Sequence, residues 1–333
     1  MKSIVNGWII KAYNYLISMH IININHKVIR RIRAALFHNI CYKCNASFGK
    51  ENPNRTFYLI RCPQSEMGLF AVINFVIFHL GQAVTYGAEP VVDWQHYPNK
   101  YFSDDKKVGK ENAWEYFFEQ TTNISLEEVY RSKHVIMSNG EGLPNLSEIR
   151  DDEKLWETHQ LVKKYIRLNE NTKIIFEREC ERIGIGRERV LGVKCRGTDF
   201  VASRPRGHSI VPDADMTIRV IEEKNKEWGG YSKIYLSTED ANILDEMKKH
   251  FGENLFYTEA ENFTDIKEGK WLGDLYDEAS GEKKREDMCM YIVATYLLAS
   301  CDALIAPSVG GTLGAMRIKG KYENKFIFSL GSY

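Results

Sequence analysis

Neither sign of charge is in excess. The 333-residue chain carries 45 Lys and Arg against 45 Asp and Glu, so no diffuse basic surface exists to neutralise a nucleic-acid backbone. Nucleic acid is excluded as the main partner, and any anion site must be local. There is no internal repeat and no low-complexity tract, which excludes a solenoid. Paired cysteines are lacking as well. Their number, seven, is odd and the spacings are irregular, a poor disulfide framework. Cys62, Cys195 and Cys301 fall in or beside apolar runs and read as small buried hydrophobes. The lone Cys41-Tyr42-Lys43-Cys44 has no second pair. It reads as reduced thiols in a reducing compartment rather than as a zinc or redox site. A confident membrane span is also missing, because Asn6, Lys11, Asn14, His20 and Asn23 break the Ile-rich run from Val5 to Ile24. Lys27, Arg30, Arg31 and Arg33 follow it. Residues 5–33 therefore read as an amphipathic helix, either packed on the body or lying on an anionic membrane surface.

What is present is an alternation of strand and helix signals. Phe57–Cys62 is an apolar strand, Pro63–Gly68 a turn-rich loop, Leu69–Thr85 an apolar helix, and Glu89–Trp94 the next strand. This βαβ opening predicts a parallel sheet with helices on its faces. Residues 95–150 hold many aromatics and loop formers. Asp151–Gly184 is charged and helix-periodic with a break near Asn169, and is the connection between two halves. A second series follows: strand 190–195, a basic loop to Val211, a helix from Pro212-Asp213 to about Trp228, and strand 233–237. Thr238-Glu239-Asp240 then caps a helix to about His250, and strand 255–257 follows. Beyond the polar residues 260–282 come helix 283–300, strand 303–306, a loop with Gly310-Gly311, a helix to about Lys319 and strand 326–328. The class is α/β. The expected division is a helical basic leader over residues 1–50, an amino-terminal lobe over 51–168 and a carboxyl-terminal lobe over 169–333.

Three strand ends of the second lobe converge on one crevice in such a sheet. The first offers Arg196 and Asp199, the second Thr238 and Asp240 beside Ser237 and Glu239, and the third Ser308, Gly310, Gly311 and Thr312. An Arg there can make bidentate, charge-assisted bonds to a pyrophosphate. Paired glycines let backbone approach a ligand closely, and the helix behind them offers amides to an anion. Arg196 has a plainer reading too, as an ion-pair partner of Asp199. The three segments together in one sheet favour a nucleotide site. Asp213-Ala214-Asp215 has the spelling of a metal motif but stands at a helix start, where acids are favoured anyway. No metal is expected.

These segments carry a family resemblance. Gly192–Asp199 resembles the G-V-H-x-R-R-T-D motif of the α1,6-fucosyltransferases and protein O-fucosyltransferases. Lys233–Asp240 resembles their I-Y-L-A-T-D-D segment, and Ser300–Ser308 their S-x-A-D segment with its later serine. The likeness covers about residues 188–330, in the family's order. It implies a GT-B fold, two Rossmann-like lobes facing a cleft, and an inverting, metal-independent transfer of fucose from GDP-fucose to a sugar hydroxyl. No further cofactor is implied. Arg196 matches the arginine that stabilises the departing β-phosphate, Asp240 a donor-contacting acid, and Ser308 a hydroxyl near the phosphates. Four positions depart from the pattern. Lys194 stands for His, Gly197 for the second Arg, Ala294 for an acid in the preceding helix, and Arg204 for an acid beyond the motif. These departures bear on base recognition, on the general base and on the sugar. They keep open another nucleotide sugar, or a non-catalytic binding protein on the same scaffold.

The acceptor is expected at the first lobe. Trp94, His96, Tyr97, Tyr101, Trp114 and Tyr116 form a dense aromatic set that either packs internally or offers flat faces to a sugar. Glu115 and Glu119, four residues apart, would share a helix face, with Glu115 as candidate proton acceptor. Asn112–Gln120 looks like a segment of bacterial surface-polysaccharide enzymes. His208, in the basic loop Arg204–His208, is a second candidate base or part of a lid. The expected place of work is the cytoplasm, peripherally on the inner face of the membrane if residues 5–33 touch it.

Overall fold

The computed structural model describes residues 43–62, 68–97, 99, 107–140, 142, 145–197, 199–204, 206–258 and 281–333. The leader up to residue 42, the 63–67 part of the first turn-rich loop, Tyr101, Thr198 and most of 260–282 lie outside them. Chain contacts give two compact units, one ending at Pro144 and taking up Lys163–Asn169, the other comprising Asn145–Val162 and Glu170–Tyr333. The division is thus not a single point in the chain, and residues 145–162 go with the second unit.

The first unit is built on β1 (Cys44–Ala46), β2 (Glu51–Arg61), β3 (Glu89–Asp93) and β4 (Ser132–Met137), in the order β1-β4-β2-β3. β2 is parallel to β3 and to β4, while β1 runs antiparallel along β4. Helix Leu69–Thr85 makes the expected crossover from β2 to β3. Phe57, Leu59, Val91, Val135 and Met137 share one core with Leu126 and Val129. β1 and β4 are not evident in the sequence, because Ser-Lys-His opens β4 with polar residues and β1 is only three residues long.

Among the described residues the second unit holds five strands, all parallel: β5 (Val190–Lys194), β6 (Lys233–Ser237), β7 (Leu255–Tyr257), β8 (Ala303–Ala306) and β9 (Asn324–Ile327), ordered β7-β6-β5-β8-β9. β5 is buried along its whole length, as a central parallel strand must be. From β5 the chain winds outward through helix Ala214–Glu227 to β6 and through Ala241–Phe251 to β7. It then returns along Gly281–Ser300 to lay β8 on the other side of β5, and Gly310–Lys319 leads to β9. The winding reverses between β5 and β8, and ligands of open α/β sheets bind beyond the carboxyl ends of the strands at such a reversal. The charged 151–184 stretch forms helices Asp152–Tyr165 and Glu170–Ile183, interrupted at 166–169 as its periodicity predicts. Among the described residues no helix is long and apolar enough to cross a membrane.

Candidate active site

The segments that follow β5, β6 and β8 start from the carboxyl ends of three neighbouring parallel strands, at one edge of the sheet. Lys194 ends β5 and pairs in register with Ser237, the last residue of β6. Carried two residues further, that register sets Arg196 beside Glu239, and their side chains form an ion pair through Arg Nη1 and Glu Oε1. Lys194 Nζ donates to the other oxygen, Oε2, at 2.7 Å and to Ser237 Oγ at 3.4 Å. One carboxylate therefore serves two cations. Burial works to raise the Glu239 carboxyl, and Arg196 and Lys194 overcome it, holding it below its usual range. The Arg196 guanidinium also lies 4.9 Å from the Phe200 ring, within cation–π reach. Glu239 is thus a partner of Arg196 among the described side chains. Asp199, the alternative the sequence offers, starts the short helix Asp199–Ser203, and its side chain lies outside the described residues.

Asp240 caps helix Ala241–Phe251, its Oδ1 accepting from the Asn242 and Ile243 amides at 3.0 and 3.1 Å. Its other oxygen packs against Gly197 so closely that a Cβ at 197 would collide with it. That contact explains locally why no arginine stands at 197. Thr238 Oγ1 accepts from the Asp240 amide at 3.2 Å. At the third strand end Ser308 is buried, and Thr312 Oγ1 donates to the Pro307 carbonyl at 2.7 Å, fixing the turn. Helix Gly310–Lys319 begins there behind Val309, which provides no side-chain cap, so its first-turn amides face the same edge. Gly311 admits the Tyr291 hydroxyl, which would stand 3.1 Å from a Cβ at that position. Cys195, between Lys194 and Arg196, is a buried thiol outside any disulfide, pushed up to about 12 by burial. Asp213 caps helix Ala214–Glu227 through the Met216 amide, the helix-start role expected of it. His208 packs edge-on against Phe200, and its loop pairs with the last residues of the chain.

The first-unit candidates divide. Trp94 and Trp114 are fully buried, cross at 5.4 Å, and have no exposed face for a sugar. Trp114 stacks on Phe118, and its indole donates to the Glu119 carbonyl at 2.9 Å. The acceptor role expected of both rings is therefore corrected to core packing. The helix expected to align Glu115 with Glu119 is only the 3₁₀ turn Ala113–Tyr116. The two carboxylates consequently go separate ways. Glu115 Oε1 accepts from Asn112 Nδ2 and Gln120 Nε2, and Glu119 Oε2 from Arg167 Nε at 2.7 Å. His96 is nearly buried beyond the end of β3, with Nδ1 on Asp93 Oδ2 at 3.1 Å, and Tyr130 donates to the same carboxylate oxygen at 2.6 Å. Sequence reasoning did not single out Glu239 as the partner of Arg196. The available signal is positional: each residue stands two places past the end of its strand.

Residues 140–268 match the family model for the N- and catalytic domains of α-(1,6)-fucosyltransferase, less than half of the chain. No curated protein matches. Among solved structures, NodZ α-1,6-fucosyltransferase co-crystallized with GDP is 16% identical at a TM-score of 0.47, covering 79% of this chain and 92% of its own. Fucosyltransferase NodZ from Bradyrhizobium is 15% identical at 0.48, covering 79% and 93%. POFUT1 in complex with GDP-fucose is 10% identical at 0.44, covering 84% and 100%. The Arg196 and Asp240 segments fall inside the matched stretch, and over residues 140–268 this chain is α1,6-fucosyltransferase-like.

Proposed function

We propose that the protein is an inverting, metal-independent glycosyltransferase that moves fucose from GDP-fucose to a glycan hydroxyl in bacterial surface-polysaccharide assembly. The observation that carries this reading is Arg196 at the reversal of the β5–β8 winding, inside the fucosyltransferase-like stretch. When the acceptor oxygen bonds to the sugar's anomeric carbon, the bond from that carbon to the diphosphate breaks. Negative charge then grows on the departing oxygen. A fixed guanidinium and first-turn helix amides stabilise that charge more in the transition state than in the ground state. The acceptor proton passes to the departing phosphate in this scheme. Glu115, the expected base, is exposed and holds two amide donors on one oxygen, so we do not assign it the proton. We place the work in the cytoplasm, with residues 5–33 as the contact to an anionic membrane surface.

Isothermal titration of the full chain with GDP-, UDP- and CMP-sugars tests the donor. GDP-fucose is expected to bind tightest, and binding of UDP- or CMP-sugars without GDP-fucose overturns the choice. One observation favours another base as the second reading: Ala294 is a buried methyl where the resemblance places an acid. Transfer is expected to survive EDTA unchanged. Activity that appears only with added divalent metal overturns the metal-free scheme.

A further inference from the structure

Resting on that donor-site reading, we infer that Glu239 is an internal counterion with which a donor diphosphate competes for Arg196, and that Lys194 makes the exchange possible. The two cations differ in what they can do. The Lys194 side chain is 3% exposed and lies under the Tyr291 ring, 5.6 Å from its centroid, with its Cε against Gly311. A buried ammonium without a carboxylate is costly, so Lys194 stays on Glu239. The Arg196 side chain is 16% exposed, at the rim of the strand end. Its planar guanidinium matches phosphate oxygens as well as it matches a carboxylate.

A carboxylate held by a single cation would resist giving it up, because the anion would be left buried and uncompensated. Glu239 is not in that position. When Arg196 turns to a diphosphate, the 2.7 Å contact with Lys194 keeps Glu239 neutralised. Asp240, next in sequence, keeps one oxygen on two amides of its own helix. Glu239 is thus a competitor of the ligand, and Lys194 weakens the competition. This predicts a sign. If Glu239 instead braced Arg196 for the ligand, removing its charge would weaken binding. If it competes, removing its charge strengthens binding.

The test is titration of the full chain with GDP and, separately, inorganic pyrophosphate. Glu239→Gln is expected to bind both several-fold tighter than the unaltered chain, and Lys194→Met about tenfold weaker, the size of one charge-assisted hydrogen bond. The double variant is expected to return to within about threefold of the starting affinity, since it removes competitor and helper together. In turnover, Glu239→Gln is expected to lower the KM for GDP-fucose, a shift that a merely structural role would not produce. Weaker or unchanged binding in Glu239→Gln overturns the inference, as does unchanged binding in Lys194→Met. If neutralising the shared carboxylate unfolds Glu239→Gln, Lys194→Met and the double variant decide, because the first keeps the Glu239–Arg196 pair and the second removes the buried ammonium together with its carboxylate. An unaltered chain that binds neither probe takes the donor-site reading down with the inference.

Discussion

Arg196→Ala is expected to lower transfer at least about a hundredfold, chiefly in kcat, and to leave the fold standing. The rate loss follows from removing the guanidinium that faces charge developing on the leaving oxygen. The intact fold follows from the sharing of Glu239. With Arg196 gone, Glu239 still has Lys194 Nζ at 2.7 Å, so this carboxylate is not left uncompensated. The lost packing is the Arg196 contact with the Phe200 ring, near the small cluster of Phe200, Val211 and Val309. Arg196→Lys is expected to recover little activity, because an ammonium restores the charge and not the planar fork. Steady-state kinetics, with circular-dichroism melting of each variant, check this. Unchanged turnover in Arg196→Ala would remove Arg196 from the reaction.

The second unit is the more legible of the two in the sequence. Its strands are short, apolar and bounded by turn or capping residues, so Val190–Lys194, Lys233–Ser237, Leu255–Tyr257 and Ala303–Ala306 stand out, and Asp213 and Asp240 mark helix starts by their side-chain chemistry. The first unit is harder. β4 opens on Ser-Lys-His, and the Trp94–Trp114 crossing is a tertiary event with no local signature. The same physics decides between the two readings of Trp94 and Trp114, which are both fully buried. A cluster of rings in sequence signals burial before it signals a sugar platform, since large apolar surface is withdrawn from water first. Glu115 and Glu119 fail to share a face because the turn carrying Glu115 ends at Tyr116, and no spacing rule applies beyond a helix that short. At the site, the strand ends could be named in advance, but the pairing of Arg196 with Glu239 is positional only once the order of the strands is known. That pairing needs β5 beside β6 in the register Lys194–Ser237, a long-range fact.

Glu148→Ala is expected to destabilise the second unit by about 3–5 kcal/mol, the cost of breaking a buried ion pair on one side. Glu148 sits in the 3₁₀ turn Leu146–Arg150, and Arg317 in the last turn of helix Gly310–Lys319. Their side chains are 8% and 6% exposed, with Arg317 Nε donating to Glu148 Oε2 at 3.2 Å and Nη2 donating to the same oxygen. Removing the carboxylate takes away the acceptor of two N–H groups of a buried guanidinium that cannot deprotonate, whereas after Arg196→Ala the Glu239 carboxylate keeps Lys194. Lys154, 3.7 Å from Glu148 Oε1, cannot compensate, being itself a cation. The midpoint of thermal unfolding should fall by roughly 10 °C, at about 2–4 °C per kcal/mol for a unit of this size. Glu148→Gln keeps the shape and one acceptor oxygen, and should lose distinctly less. The pair tethers residues 145–150 to the helix whose first turn faces the candidate donor site, and His159 bonds the Arg317 carbonyl at 3.1 Å in the same region. Glu148→Ala should therefore weaken GDP binding at temperatures well below its melting point, whereas an ordinary core cavity would lower the melting point alone. A melting point within about 2 °C of the unaltered chain, less than one kcal/mol on the same scale, would mean that Arg317 finds another partner, and the tether would carry no weight in holding the helix at the site.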